Sequence, residues 1–449
     1  MPPPLGYVLR PLPHERIMNS VQILVALAAA AALGAASRDA QNASEFLSGN
    51  SPSFILGTQA DDRADREVVA QVELIRGLRF PGSVRVLDDS IDVAQGAGAW
   101  PQTPVVYGGS HVNAALAGVA DCLPLRVTAG EIEIAGETYS GDEYRLIALV
   151  PAVAASEGCP GSPQFLLYAG AGTSGVTEIN ATPDGNFGFI VVDRFGLLDA
   201  GIWERGDDGA VQAKITQRAL RKPWRENRVQ EGERVEAALI VRRLQAAAVT
   251  DAERAQDLAL LRGVRFAEAR LGLEPASALT IYVYPDAKTK ASITRGGDAH
   301  ADYASRTLHV LTADASVGGV LERVCAHEAV HIIASDAFGA PGSPLWGEGL
   351  AVWAAGQYGG RSMLEWRHDP PRVEVGIVEF TGAGFVRTPE RLSYPIAGLL
   401  VGDLIHEHGL EAFLEHIYPA GPERLEQACA ALELRTDDLD AMLRRYREN

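Results

Sequence analysis

The sequence predicts an α+β protein, with a β-rich domain in the N-terminal half and a domain of one small sheet and several helices in the C-terminal half. The chain has 449 residues, enough for two or three domains at roughly 100–200 residues each. Short apolar or alternating runs between Gly, Pro, Asn and Asp dominate the N-terminal half, as is typical of strands. Longer stretches with helical periodicity dominate the C-terminal half.

Residues 1–36 are predicted to be a signal peptide or an N-terminal anchor. Residues 21–36 (VQILVALAAAAALGAA) form an unbroken apolar run. This run is shorter than the about 20 residues of a transmembrane helix and is typical of a secretory signal. Arg10 and Arg16 precede it, and small residues follow it. We therefore expect an exported protein (periplasmic, cell-surface or secreted), with no membrane contact beyond a possible uncleaved anchor, and we interpret residues 37–60 as a linker.

The charge balance argues against nucleic acid as a partner. The chain has 40 basic and 58 acidic residues, which give a net charge of −18. A surface with that excess of negative charge repels phosphate backbones. Apolar residues make up 47% of the chain and charged residues 22%, so the composition is that of a globular protein and not of a disordered one.

Four cysteines are compatible with disulfides in an exported protein. Two lie in each half of the chain, so we favour pairing within halves, namely Cys122 with Cys159 and Cys325 with Cys429. The alternative is that all four are buried free thiols. Cys325 lies two residues before a histidine of the motif described below, so we expect its side chain to point away from that motif and to be available for pairing.

The N-terminal domain is predicted to span residues 61–205 and to contain one helix, at 65–78. Its only histidine is His111, and it has no cluster of His, Cys and carboxylate side chains that would indicate chemistry. Its role stays open between a pro-region, a docking module and an adhesion unit. Residues 206–230 are polar and are interpreted as a second linker. The predicted strands lie at 126–136, 144–150, 165–170 and 187–192.

The C-terminal domain is predicted to span residues 231–449. A capping threonine, Thr250, and a terminal glycine, Gly272, mark the ends of one of its helices. Two strands are predicted, at 279–286 and 306–314. The predicted helices lie at 233–248, 251–271, 318–337, from 345 onward, at 395–408 and near 410–418, 422–433 and 436–447.

The predicted helix 318–337 carries the sequence HEAVH at residues 327–331. His327 and His331 are four residues apart, so both imidazoles lie on one face and can reach a zinc ion at about 2.0–2.1 Å. Glu328 flanks that face, where a carboxylate can take a proton from a water that zinc activates. Chance gives roughly 0.016 such matches in a chain of this composition. The motif therefore predicts a catalytic metal site.

Glu348, within PLWGEGLA, is the predicted third ligand. Sixteen residues separate it from His331, enough for a Gly/Pro turn and a return on an adjacent helix. Its neighbours are apolar, and a buried carboxylate without a partner is costly. Catalytic zinc normally has three protein ligands, so we predict that Glu348 completes the site and that Zn²⁺ is the cofactor.

HEAVH followed by W-x-E-G-x-A resembles the gluzincins, zinc peptidases with an HExxH motif and a downstream Glu ligand, and among them the bacterial peptidase MA-like group. The resemblance covers about residues 231–449. It implies a small sheet packed on the HExxH helix and a helical C-terminal part. The metzincins need a third His soon after the second, whereas the next one here is His368. The resemblance implies that His327, His331 and Glu348 are the zinc ligands and that Glu328 is the general base.

Tyr394, in SYPIAG, is the predicted donor to the oxyanion, because gluzincins of the aminopeptidase branch use a Tyr that precedes a small-residue helix. His368, predicted to lie in a surface loop, is the alternative, as in thermolysin-like enzymes. The chain lacks the G-x-M-E-N motif that binds a free amine in aminopeptidases. It also has Val352 where thermolysin-like enzymes carry an acidic residue near the metal. Because the amine-binding motif is absent, we do not expect a true aminopeptidase, and the sequence leaves open which side chain orients the histidine ligands.

These observations predict an exported zinc-dependent metallopeptidase that acts on a peptide or protein substrate. Two alternatives are a zinc-binding protein without catalysis and a zinc hydrolase with a non-peptide substrate. We expect the strand RTLHVLTAD (306–314) to be an exposed edge that holds substrate by strand addition. Cleavage specificity and oligomeric state stay open.

Overall fold

The structure is a computed structural model, and it confirms the predicted α+β class, with a β-rich N-terminal part and a helical C-terminal part. Within the described residues, no helix is both long and apolar enough to cross a bilayer. The predicted signal or anchor lies outside them. The described residues are 40, 42–48, 51–57, 62–172, 187–206, 210–219, 224–229, 239–244, 250–294, 296–312 and 321–446.

An eight-stranded sheet forms the N-terminal part, in the order β11-β10-β9-β7-β8-β3-β1-β2, and a separate three-stranded sheet has the order β4-β5-β6. The helices are α1 Ala43–Leu47, α2 Asp62–Arg79 and α3 Ala114–Ala117. The strands are β1 Ser53–Leu56, β2 Val84–Leu87, β3 Pro104–Tyr107, β4 Leu125–Thr128, β5 Glu131–Ile134, β6 Glu137–Ser140, β7 Arg145–Val150, β8 Phe165–Gly170, β9 Phe189–Asp193, β10 Gly196–Arg205 and β11 Val211–Arg218.

The large sheet is covered on both faces. β7 is buried at all six positions. Its Leu146 and Ala148 belong to one apolar cluster, and its Ile147 and Leu149 belong to another. Successive side chains of a strand point to opposite faces, so the two clusters lie on the two sides of the sheet. The sequence patterns correctly predicted the helix α2 and the strands β7, β8 and β9, and the run 126–136 is the hairpin of β4 and β5.

Both predicted linkers contain regular structure, which the sequence interpretation missed. Within 37–60, α1 is followed by β1, a fully buried strand paired in parallel with β2 and β3. Within 206–230, β11 pairs with β10, and a further strand belongs to the second large sheet. β11 lies at a sheet edge and buries few side chains, so its polar sequence resembled a linker.

The C-terminal sheet has five strands in the order β12-β13-β14-β16-β15. Its strands, with a small hairpin of β17 and β18, are β12 Trp224–Val229, β13 Leu239–Leu244, β14 Thr280–Tyr284, β15 Ala299–Asp302, β16 Thr307–Leu311, β17 Gln357–Tyr358 and β18 Arg361–Ser362. The helices are α4 Asp251–Leu271, α5 Ala287–Ile293, α6 Leu321–Phe338, α7 Pro344–Ala355, α8 Met363–His368, α9 Ile377–Thr381, α10 Ala383–Arg387, α11 Glu390–His408, α12 Leu410–Ala412, the π-helical turn Phe413–Ile417, α13 Leu425–Ala431 and α14 Thr436–Arg445.

Two predictions for this sheet were wrong. The helix predicted at 233–248 is the strand β13 over 239–244, and the rest of that segment lies outside the described residues. β13 alternates between buried and partly exposed positions, which is the period of a strand and not of a helix. RTLHVLTAD contains β16, which pairs with β14 on one side and β15 on the other and is buried at all five positions. Among the described strands, the two edges of this sheet are therefore β12 and β15.

Close helix contacts place the elements that carry the predicted site. α6 packs closely against α4 at Gly263. A Cβ at this position would lie 2.4 Å from the Glu322 carbonyl oxygen, so only glycine allows this approach. α7 packs against α11 through Gly349 and Gly398 in the same way. These glycines allow neighbouring backbones to approach more closely than larger residues would.

One of the two predicted disulfides is present. Cys122 and Cys159 are bonded, as predicted, whereas Cys325 and Cys429 are free and buried, so the second predicted pair was wrong. The Cys325 thiol donates to the Leu260 carbonyl of α4 over 3.3 Å. Cys325 does point away from the motif histidines, but it faces α4 and not the C-terminal helix that carries Cys429.

Candidate metal centre

Helix α6 carries His327, Glu328 and His331. The two imidazole rings lie 5.1 Å apart between centroids and are nearly perpendicular, at 80°. His331 and Glu328 are buried, with exposed fractions of 6% and 8%. The sequence around them is apolar and free of Gly and Pro, so the helix continues without a break through the motif.

Helix α7 brings Glu348 to the two histidines. Ser343 caps the start of this helix by accepting from the Leu345 amide, and Pro344 occupies its first turn, where a proline is well tolerated. Glu348 follows one turn later. Its Oε2 lies 3.1 Å from Nε2 of His327 and 3.5 Å from Nε2 of His331.

The donor set fits a zinc ion. Tetrahedral zinc with ligands at about 2.0–2.2 Å places its donor atoms about 3.4 Å apart, close to both carboxylate–imidazole distances. All three donor atoms lie within 4.8 Å of one another. Two imidazoles and one carboxylate form a ligand set that catalytic zinc uses. In the part of the chain that the structure describes, this is the one such group of three or more His, Cys, Asp or Glu side chains.

The environment of Glu348 keeps its carboxylate ionised. Burial raises the pKa of this group, but the charge of His331 and hydrogen bonds from both imidazoles lower it further, so its pKa lies below the usual range. An ionised carboxylate is the form that binds a metal, so the site holds this ligand ready at neutral pH.

A tyrosine that the sequence interpretation missed supports one of the histidines. The hydroxyl of Tyr303, just after β15, lies 3.1 Å from Nδ1 of His331. The opposite nitrogen, Nε2, is the one that faces Glu348. A hydrogen bond at Nδ1 selects the tautomer that leaves Nε2 free to bind a metal. Val352 is fully buried, and its apolar side chain cannot take such a role.

Tyr394 lies beside the metal group, in the first half of α11. Its ring is parallel to that of His327, with 6.3 Å between centroids and 9° between planes. Burial, together with the negative charges of Glu348, Glu390 and Glu328, raises the pKa of Tyr394 well above its usual value. Its hydroxyl therefore keeps its proton at neutral pH. The helix starts at 390 and not at 395, so Tyr394 and Pro395 lie inside it.

Two further side chains line the same region and carry no sequence motif. The ring of Tyr358, in β17, lies 5.2 Å from that of Tyr394. Burial and the charges of Glu390, Glu348 and Asp298 raise the pKa of Tyr358. Burial and the nearby Glu348 also raise the pKa of Glu390. In the sequence, only the four-residue spacing of Glu390 and Tyr394 in PERLSY indicated that Glu390 lies on the same helix face as Tyr394.

His368, the alternative oxyanion donor, is the exposed last residue of α8 and not part of a loop. His406 and His408 lie in the last turn of α11. The structure therefore brings together the predicted ligands, Glu328 and Tyr394, and it places these other histidines elsewhere.

Comparison with solved structures finds similarity to bacterial M1 zinc metallopeptidases. Two crystal structures of an M1 zinc metallopeptidase from Deinococcus radiodurans, the first of them a mutant, match 56% of this chain at 14% and 15% identity, with TM-scores of 0.35 and 0.33. A two-domain M1 zinc metallopeptidase mutant bound to L-arginine matches at 14% identity with a TM-score of 0.32. The chain spans about 60% of the length of these structures. No protein-family profile matches, and no curated protein matches by sequence.

Proposed function

We propose that the protein is an exported zinc-dependent metallopeptidase that hydrolyses peptide bonds. The observation that carries this proposal is the convergence of His327, His331 and Glu348 at distances that fit one zinc ion, with Glu328 next to them on α6. The Glu348 carboxylate faces both imidazoles at once. The disulfide between Cys122 and Cys159 is consistent with export to an oxidising compartment.

His327, His331 and Glu348 would hold the zinc ion, which would supply a Lewis acid for a carbonyl and for a nucleophilic water near neutral pH. The Glu328 carboxylate accepts the proton of the attacking water and returns it to the leaving amine. The Tyr394 hydroxyl donates a hydrogen bond to the oxygen on which negative charge develops. Its raised pKa supports this role, because only the protonated phenol can donate.

The edge strand β15 is the proposed docking site for an extended peptide. Among the described strands it pairs with β16, and it packs against α6, the helix that carries the histidines. A substrate strand bound beside β15 would lie next to that helix. β15 thus takes the docking role that the sequence analysis expected for RTLHVLTAD, whose strand β16 is internal.

We also propose that the enzyme does not require a free N-terminal amine, because the chain lacks the G-x-M-E-N motif. A peptide library digested before and after N-acetylation tests this point. Equal cleavage of both libraries supports the proposal. Cleavage that acetylation abolishes would identify an aminopeptidase.

The general-base role is tested with Glu328→Gln, which keeps the shape of the side chain but removes its basicity. We expect peptide hydrolysis to fall by about 10²–10⁴-fold while zinc content stays at one per chain. The matched control is Glu322→Gln on the same helix, which removes an ion pair with Arg262 (2.9 Å) and leaves the metal group intact. Near-wild-type turnover of Glu328→Gln would contradict the mechanism, and a zinc-loaded wild type that cleaves no peptide would contradict the function.

A further inference from the structure

A buried ion pair joins the N-terminal part of the protein to the C-terminal sheet. Nη2 of Arg145, the first residue of β7, donates to Oδ2 of Asp302 over 2.9 Å and to the Asp193 carbonyl over 3.0 Å. The side chains of Arg145 and Asp302 are only 6% and 9% exposed. A charge buried to that degree needs its partner, so the two parts of the chain are held in one arrangement at this point.

Asp302 also organises the turn that leaves the edge strand. Its Oδ1 accepts from the Ser305 amide over 2.8 Å and from the Ser305 hydroxyl over 2.7 Å. Asp302 is the last residue of β15, and β16 begins at Thr307. The carboxylate thus binds Arg145 through one oxygen and closes the β15–β16 turn through the other.

Tyr303 is part of that turn, and it contacts the metal group. Its hydroxyl lies 3.1 Å from Nδ1 of His331, and its ring meets the imidazole at 6.0 Å and 66°. The position of the turn therefore decides whether the hydroxyl reaches the imidazole. A continuous series of contacts runs from Arg145 through Asp302 and Tyr303 to His331.

An aromatic contact holds the same N-terminal region against the C-terminal sheet. Phe195 lies between β9 and β10, two residues after the Asp193 carbonyl that Arg145 binds. Its ring stacks on Trp224 at 5.8 Å and meets the edge of Tyr282 at 4.9 Å. This contact packs the segment that follows Asp193 against the C-terminal sheet, in addition to the ion pair of Arg145 with Asp302.

We propose that Arg145 is a positioning residue for the metal site: through Asp302 and the β15–β16 turn it holds Tyr303 on His331. The N-terminal part is then a permanent component of the catalytic unit and not a removable pro-region. This inference rests on the proposed function, because it assigns Arg145 a role toward the zinc that His331 binds.

The test compares zinc affinity in full-chain variants by competition with a chelator. The double variant Arg145→Met/Asp302→Asn removes both charges together, so neither is left alone in the interior. We expect it to bind zinc about 10-fold more weakly, as is typical when a group that orients a ligand is lost. Tyr303→Phe should weaken binding similarly. The triple variant Arg145→Met/Asp302→Asn/Tyr303→Phe should bind zinc no more weakly than Tyr303→Phe, because the ion pair acts through Tyr303.

The matched control is Arg194→Met, which removes an ion pair with Glu143 (2.7 Å) in the same N-terminal region. It should leave zinc affinity unchanged. A double variant that unfolds at lower temperature yet binds zinc like the wild type would overturn the inference, because the ion pair would then be purely structural. Additive losses in the triple variant would overturn it as well.

Two further outcomes are distinguishable. If the double variant does not fold, Arg145→Lys replaces it. This variant keeps the positive charge but loses one of the two hydrogen bonds of Arg145, and its zinc affinity is compared with that of Tyr303→Phe in the same way. If the wild type binds no zinc, the proposed function fails and the inference fails with it. If the wild type binds zinc and cleaves peptides but the variants match it, only the inference fails.

Discussion

Glu348 lies 21 residues after His327 in the chain, yet its carboxylate oxygen lies 3.1 Å from that imidazole. Its carboxylate faces both histidines, which is the reason its pKa falls despite burial. Removing it would leave two imidazoles, too few protein ligands for a tight catalytic zinc site.

Glu348→Ala should therefore carry well under one zinc per chain after dialysis, while the circular dichroism spectrum stays that of the wild type. Elemental analysis measures the metal. Glu374→Ala is the control, since Glu374 is an exposed carboxylate that also follows His331 in the chain. Stoichiometric zinc in Glu348→Ala would show that the third ligand lies elsewhere.

Tyr394→Phe should lower kcat by about 10²–10³-fold and change KM little, because the hydroxyl acts on the charge of the transition state. The raised pKa of Tyr394 also predicts the pH dependence of the rate. The phenol stays protonated through neutral pH, so the wild-type rate should show no loss from its ionisation below pH 10. Steady-state kinetics across pH 6–10 measures both. Unchanged kcat in Tyr394→Phe would remove this residue from the mechanism.

At the scale of elements, the contact between α7 and α11 sets the position of Tyr394 relative to Glu348. A Cβ on Gly349 would lie 2.6 Å from Cγ2 of Val401 and 2.8 Å from the Ala397 carbonyl oxygen. The carbonyl belongs to the backbone of α11, so this helix would have to move as a unit.

Gly349→Ala should lower the free energy of unfolding by about 1–3 kcal/mol through overpacking and should also reduce turnover. Gly402→Ala on α11 is the control, since its Cβ would meet only the movable side chain of Trp353, at 3.1 Å. Urea unfolding and peptide hydrolysis measure the two effects. Equal behaviour of the two variants would show that the α7–α11 spacing does not control the site.

The disulfide acts on the N-terminal part alone. Cys122 and Cys159 enclose a loop with a sequence separation of 37 residues. Cys122→Ser/Cys159→Ser should lower the free energy of unfolding by roughly 2–4 kcal/mol, chiefly because the unfolded chain gains freedom. Denaturant unfolding measures this change. Zinc affinity should not change. A loss of zinc in this variant would show that the disulfide also affects the metal site.

At the scale of the whole molecule, the Arg145–Asp302 pair makes the joint between the two parts sensitive to pH. Burial raises the pKa of Asp302, but the charge of Arg145 and the hydrogen bonds from Ser305 lower it more strongly, to below its usual range. A carboxyl with a lower pKa in the folded state stabilises the fold above its unfolded pKa of about 4, and this contribution is lost as pH falls further.

The free-energy difference between the wild type and Arg145→Met/Asp302→Asn should thus be constant from pH 8 to 5 and should shrink below about pH 4. Urea unfolding at each pH measures it. All other titrating groups are shared by the two proteins and cancel in the difference. A difference that stays constant to pH 2 would mean that Asp302 does not titrate with folding.

Local signals account for the elements that were predicted well. α4 runs from Asp251 to Leu271 as expected, because Thr250 forms a capping box and Gly272 adopts φ 65° at the other end. Each of these signals involves residues within one helical turn. The strands β11 and β13 were missed because edge position and pairing partner decide them, and neither is visible in a short window.

The sequence by itself determined which side chains share a helix face, since the four-residue spacing of His327 and His331 is a property of any α-helix. Only the tertiary structure decided which strands lie at the sheet edges, where Cys325 points and which residues reach the metal group from a distance. Tyr303 and Arg145 carry no motif. Their roles depend on how two sheets and their turns pack, and packing follows from burial summed over the whole fold and not from any local pattern.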